Sequence, residues 1–156
     1  MVLGHKRIQP GQGHDAGLQL LEELYGTQVG GTMPPIARTN RGKPYFTEGS
    51  WHFSISHTKY HVFCALSQRP VGVDAEEQDR RINLALAEKI LSPGERERFI
   101  AAGETRQALL RLWILKEAAA KCSGEGIRPW PNHTDFSPED PRIQQIDGCF
   151  VAVIEA

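Results

Sequence analysis

The segment Val71-Gly-Val-Asp-Ala-Glu76 alternates apolar and acidic residues. On a strand, Val71, Val73 and Ala75 face one way while Gly72, Asp74 and Glu76 face the other, with the two carboxylates ~7 Å apart. Glu117 lies in Trp113-Ile-Leu-Lys-Glu117-Ala-Ala-Ala-Lys121, with Trp113 and Lys121 one helical turn away on either side. Packing that helix on that strand gathers three carboxylates. Such a cluster repels itself and is expensive to desolvate, so a cation belongs among Asp74, Glu76 and Glu117. Oxygen ligands with no His or Cys in the pattern suit Mg²⁺ better than Zn²⁺, and Mn²⁺ accepts the same set. The same spacing is also met by a solvated strand end carrying Asp74 and Glu76, with Glu117 paired to Lys121 as an ordinary i,i+4 ion pair.

Other candidates lie upstream. His57 closes Phe53-Ser-Ile-Ser-His57, with the hydroxyls of Ser56 and Thr58 beside it; a lone histidine serves as a structural residue or as an acid–base group. Lys43, in Arg41-Gly-Lys-Pro44-Tyr45, is either a solvated turn lysine or a phosphate ligand on a rigid Gly/Pro loop. It belongs to a basic run, Arg38, Arg41 and Lys43, with no acidic residue before Glu48. His5, His14, His52, His61 and His133 show no ligand spacing. Cys64, Cys122 and Cys149 stand singly among apolar residues, an odd total that reads as reduced core thiols.

The elements that must carry these residues fit one domain. The chain has 156 residues, 40% hydrophobic and 24% charged, enough for one real core. A net charge of −1 removes the bulk field that drives nucleic-acid or membrane binding. With neither an apolar signal core nor a membrane-length apolar run, the expected location is the cytoplasm. A helix is expected over 15–25, with Asp15 as its N-cap and Gly26 as its stop. Strands over 51–57, 60–67 and 71–76, joined by short connections, predict an antiparallel meander. Asn83 caps a helix over 84–91, and Ser92-Pro-Gly-Glu95 is a capping box opening a second that ends near Gly103. A long helix over 105–123 is apolar nearly all round at Leu109–Leu115, as a buried helix is. The hairpin 142–146/149–155 turns at Asp147-Gly148, a type I′ signal. The expected fold is α+β: an antiparallel sheet packed on a long central helix.

Taken in order, Gly42-Lys43-Pro44-Tyr45, Phe53–His57, Val71–Glu76 and Trp113–Lys121 resemble the motifs of the 4′-phosphopantetheinyl transferases, in the longer, surfactin-synthetase-activating form. The resemblance implies Mg²⁺-dependent attack by a serine hydroxyl of an acyl or peptidyl carrier protein on the β-phosphate of coenzyme A, releasing 3′,5′-ADP. It assigns Asp74, Glu76 and Glu117 to the metal, Glu117 as general base for the serine proton, and Lys121 to the pyrophosphate. By the same likeness Ser56 and His57 hold coenzyme A phosphates, Lys43 meets the 3′-phosphate, and Pro44 lies by the adenine. Carrier domains of this kind are acidic around the modified serine, which makes Arg80 or Arg81 a docking candidate. The longer members have two similar subdomains with the site between them. On that pattern residues 1–40 are a remnant of the first and 41–156 the second. Gly17 stands near the helix position where the family carries an arginine. A homo-oligomer would be one way to complete the site. A non-catalytic module that binds coenzyme A or a carrier protein, and a Mg²⁺-dependent phosphoesterase, are the alternatives.

Overall fold

A computed structural model describes residues 1–126 and 134–156; His133 lies outside the described residues. Two three-stranded antiparallel sheets and a two-stranded ribbon carry the fold. The first sheet has the order β1-β5-β4, from β1 (Val2–Arg7), β5 (His61–Ser67) and β4 (His52–His57). The second has the order β6-β8-β7, from β6 (Val71–Glu77), β8 (Cys149–Glu155) and β7 (Ile143–Ile146). The ribbon pairs β2 (Ile36–Arg38) with β3 (Pro44–Phe46).

Alternation along the strands sets the layers. Val62, Cys64 and Leu66 of β5 face α1 (Gly13–Gln28) through Leu20, Leu21 and Tyr25. Phe63 and Ala65, on the other face of β5, pack on Val71, Val73 and Ala75 of β6 and on Val151 and Val153 of β8. Phe150, Ala152 and Ile154 then face α4 (Arg106–Ser123). The far side of α4 is covered by α2 (Leu86–Ile90) and α3 (Pro93–Ala101). The chain is therefore α+β, with α4 apolar on two sides because it has two neighbours. Cys64, Cys122 and Cys149 are buried free thiols. Among the described residues no helix is long and apolar enough to cross a membrane.

Several elements differ from expectation. The meander over 51–76 is broken, because β4 and β5 pair with each other while β6 pairs with β8 in the second sheet. α1 begins at Gly13, two residues before Asp15, and its N-cap position, Gln12, makes no side-chain cap bond. The helix also runs through Gly26. It stops where Gly30, at φ 85°, returns its amide to the Tyr25 carbonyl. The strand β1 and the ribbon β2–β3 carry too little alternation to read from sequence. The capping box at Ser92 and Glu95 is present, Thr105 caps α4, and the hairpin turns at Asp147-Gly148 with φ of 50° and 80°.

Two contacts fix how α4 lies. Gly72 is where β6 and the helix touch, since a methyl there would run into the Ala118 carbonyl and the Cys122 amide. Lys116 and Glu95, both fully buried, pair at 2.7 Å, and Glu95 also accepts from Thr134, Phe136 N and Ser92 N. With Lys116 turned toward α3, Glu117, 100° further round the helix, is turned away from it. Gly72→Ala should therefore lower stability by about 1–3 kcal/mol through overpacking, read as a lower urea midpoint. An unchanged midpoint would show that the two elements are not in the contact described.

Candidate active site

The site lies on the seam between the two sheets. β4 and β6 run side by side without a backbone ladder, and side chains satisfy the main-chain groups between them. Ser54 Oγ accepts from Val73 N at 3.0 Å and Ser56 Oγ from Ala75 N at 3.2 Å. Lys121 Nζ donates to Val73 O at 3.1 Å and to Ile55 O at 3.5 Å, closing the seam from the α4 side.

The same lysine meets the acidic residues. Lys121 Nζ is 2.8 Å from Asp74 Oδ1, to which Ser56 Oγ also donates at 3.2 Å. Glu76 is paired with Arg80, one turn of chain further on. Two cations therefore stand among three carboxylates, and the imbalance shows in their titration. Burial pushes the Glu76 carboxyl up to about 7, with Asp74 adding to the rise and Arg80 opposing it. Burial, then the charge of Asp74, pushes Glu117 up to about 7. Asp74 is also raised by burial, against the pull of Lys121 and Ser56. The ligand oxygens of the trio are not drawn within 4.8 Å of one another, a spacing that among the described residues His5, His61 and Asp147 reach instead.

Beside this cluster opens a cleft of about 430 Å³, within the range of small-molecule sites. Glu117 and Lys121 form one wall, His57 another, and Lys43 and Pro44 a third. Arg38 and Arg41 line it too, so four Arg and Lys side chains face one carboxylate. Sequence reasoning picked out these two arginines only as part of a basic run; the ribbon β2–β3 is what turns them inward. Lys43 Nζ donates to Cys122 O at 2.5 Å and Arg41 to Glu125 O, docking the ribbon on the C-terminal end of α4. Burial holds the Lys43 ammonium below its usual range.

Three candidates sit apart from the cleft. Ser56 is buried with its hydroxyl committed to Asp74 and Ala75 N, and Asp74 and Glu76 lie behind the Glu117 wall rather than on it. At Gly17 a methyl would stand 2.7 Å from Ile55 Cγ2, so a longer side chain at that position displaces α1 from β4. Arg38, Arg41 and Lys43 supply the cleft's positive charge from the other side.

A sequence profile of the 4′-phosphopantetheinyl transferase superfamily matches residues 70–150, just over half of the chain. The chain belongs to the 4′-phosphopantetheinyl transferase superfamily. It is similar to 4′-phosphopantetheinyl transferase psf-1 of Bacillus pumilus, 38% identical over 55% of this chain and 38% of the relative. A putative 4′-phosphopantetheinyl transferase of Haemophilus influenzae is 35% identical over 71% of the chain and 49% of the relative. For 4′-phosphopantetheinyl transferase Sfp of Bacillus subtilis the figures are 33%, 49% and 34%. These likenesses agree with the surfactin-synthetase-activating form that the motif order resembles. The matches span about half or less of each of these curated relatives.

In this superfamily member the raised carboxyls have a measurable consequence. Glu117 binds a proton more tightly folded than unfolded, so between pH 4.5 and about 7 the folded state holds more protons and stability falls as pH rises. Removing the charge reverses this. Glu117→Gln should raise the melting temperature in EDTA at pH 8 and change it little at pH 4.5. An equal shift at both pH values would mean that the carboxylate is not strained by its surroundings.

Proposed function

We propose that the chain transfers 4′-phosphopantetheine from coenzyme A to a serine hydroxyl of an acyl or peptidyl carrier protein, releasing 3′,5′-ADP. The observation that carries this reading is a cationic cleft walled on one side by Glu117, with the desolvated carboxylates of Asp74 and Glu76 behind it. A polyanionic nucleotide fits the cleft, and its Glu117 wall supplies a proton acceptor.

The division of work follows from position. Lys43, Arg38 and Arg41 neutralise coenzyme A phosphates on the ribbon side, with Lys43 assigned to the 3′-phosphate and Pro44 to the adenine face. His57, on the wall against α1, contacts phosphate oxygens. Lys121 is anchored by Asp74 and Val73 O on the cleft wall, and giving up its long 3.5 Å contact to Ile55 O frees one N–H for the pyrophosphate and for charge that develops on the leaving group. Glu117, on the cleft wall one helical turn from Lys121, stands where it can accept the serine proton. The serine oxygen then forms its bond to the β-phosphorus as the bond to 3′,5′-ADP breaks. Ser56 acts at one remove, orienting Asp74.

The residues fit a divalent cation. Three desolvated carboxylates exceed the two cations beside them, and the Arg80 side chain, 46% exposed, is free to turn away. Asp74, Glu76 and Glu117 would hold Mg²⁺, or Mn²⁺, and the ion would supply charge neutralisation at the pyrophosphate. The whole of 1–156 serves as one domain in this reading. The walls of the cleft come from a single copy, so a homo-oligomer is not called upon. Arg80, once turned off Glu76, and Arg81 are both exposed basic side chains for docking an acidic carrier domain.

Incubating the full chain with coenzyme A, Mg²⁺ and an apo carrier protein should add one phosphopantetheine mass to the carrier over many turnovers, and EDTA should abolish the gain. Glu117→Gln should slow it by about 10²-fold or more with folding intact. Coenzyme A binding without transfer would identify a binding module, and hydrolysis without acceptor a phosphoesterase; either overturns the proposal. Lys43→Ala should weaken coenzyme A more than 3′-dephospho-coenzyme A in calorimetric titration. Equal losses would leave Lys43 as a strut between the ribbon and α4.

A further inference from the structure

His5, His61 and Asp147 come from three separate stretches of chain and belong to neither the cleft nor the acidic cluster. Their ligand atoms all lie within 4.8 Å of one another. His5 Nε2 is 3.0 Å from His61 Nδ1, and His61 Nδ1 is 3.7 Å from Asp147 Oδ2. Two ligands bound to a tetrahedral zinc, each ~2.0–2.1 Å from the ion, stand about 3.3 Å apart. The spacing already present brackets that value, so small side-chain rotations suffice to admit an ion.

The surroundings hold the three groups in place. The His5 ring stacks on Phe63, centroids 4.6 Å apart and 14° from parallel, which fixes the plane in which Nε2 points. His61 is opposite Arg7 in the β1–β5 ladder, and His5 opposite Phe63. Asp147 sits at the tip of the β7–β8 turn, and Arg7 grips both of its oxygens at 2.5 Å. The Arg7 side chain is 77% exposed, so it can release Oδ2 while keeping Oδ1, as carboxylates bound to metals keep a second hydrogen bond. The exposed side of Asp147 leaves a path for entry and a position for water.

We propose that His5, His61 and Asp147 form a binding site for a transition-metal dication of the zinc type, separate from the acidic cluster at the cleft. Two imidazole nitrogens and one carboxylate oxygen select Zn²⁺, Ni²⁺ or Cu²⁺ over Mg²⁺. Because β1 and β5 are in the first sheet and the turn is in the second, the ion ties the two sheets together. This site stands whether or not the chain transfers phosphopantetheine.

The test uses the full chain, stripped of metal and held in excess Mg²⁺ to occupy oxygen ligands. Zinc at a hundredfold excess over its dissociation constant should raise the melting temperature by roughly 5–10 °C. One equivalent of Cu²⁺ should show nitrogen superhyperfine splitting in its electron paramagnetic resonance spectrum. His5→Gln should remove the zinc shift and reduce the nitrogen couplings, and Asp147→Asn should weaken zinc about 10-fold or more. Copper bound through oxygen alone, or zinc stabilisation that survives His5→Gln, would overturn the proposal by placing the ion elsewhere.

Discussion

The edges of two sheets meet along β4 and β6 without a hydrogen-bond ladder, and their main-chain groups must still be satisfied. Ser54 and Ser56 accept the β6 amides, and Lys121 donates to carbonyls of both strands. An unpaired buried amide or carbonyl costs free energy comparable to a lost hydrogen bond, so these side chains are structural before they are anything else. Lys121 is also held against Asp74, which makes the closing of the seam and the building of the site one event.

Gly72 lets this happen. Without a side chain at that point α4 lies directly on β6, and residues 117 and 121 are brought to the strand carrying Asp74 and Glu76. The buried Lys116–Glu95 pair fixes the helix rotation from its other side. Buried ion pairs add little net stability, but losing one partner is severe, so the pair acts chiefly by allowing only one orientation of α4. Glu117 is then left partly desolvated beside Asp74, and the raised titration of the acidic side chains is the energetic consequence. On the proposed function, that strain is what a divalent cation among the three carboxylates would relieve.

Much of this was legible in the sequence because it is local. The capping box at Ser92, the Asp147-Gly148 turn, the two faces of β6 and the helical spacing of Glu117 and Lys121 all depend on near neighbours. The pairing of β6 with β8 rather than β5 was not legible, since it depends on segments some eighty residues apart and on serines replacing a ladder. The family likeness implies a phosphate-holding hydroxyl at Ser56, while its bonds to Asp74 and Ala75 N depend on that seam. Arg38 and Arg41 were visible as charges but not as cleft residues, because the short ribbon that turns them inward has no periodicity to read. His5 and His61 show no spacing in sequence and become neighbours only through the β1–β5 register.

On the proposed function, the α4–β6 contact builds an oxygen-ligand cation site at the edge of the cleft. Crystals grown with coenzyme A and Mn²⁺ and measured for anomalous scattering test it most directly. A manganese peak is expected among Asp74, Glu76 and Glu117, with Arg80 turned away and the coenzyme's pyrophosphate beside Lys121. Coenzyme A bound in the cleft with Arg80 still on Glu76 and no peak among the three carboxylates would contradict it.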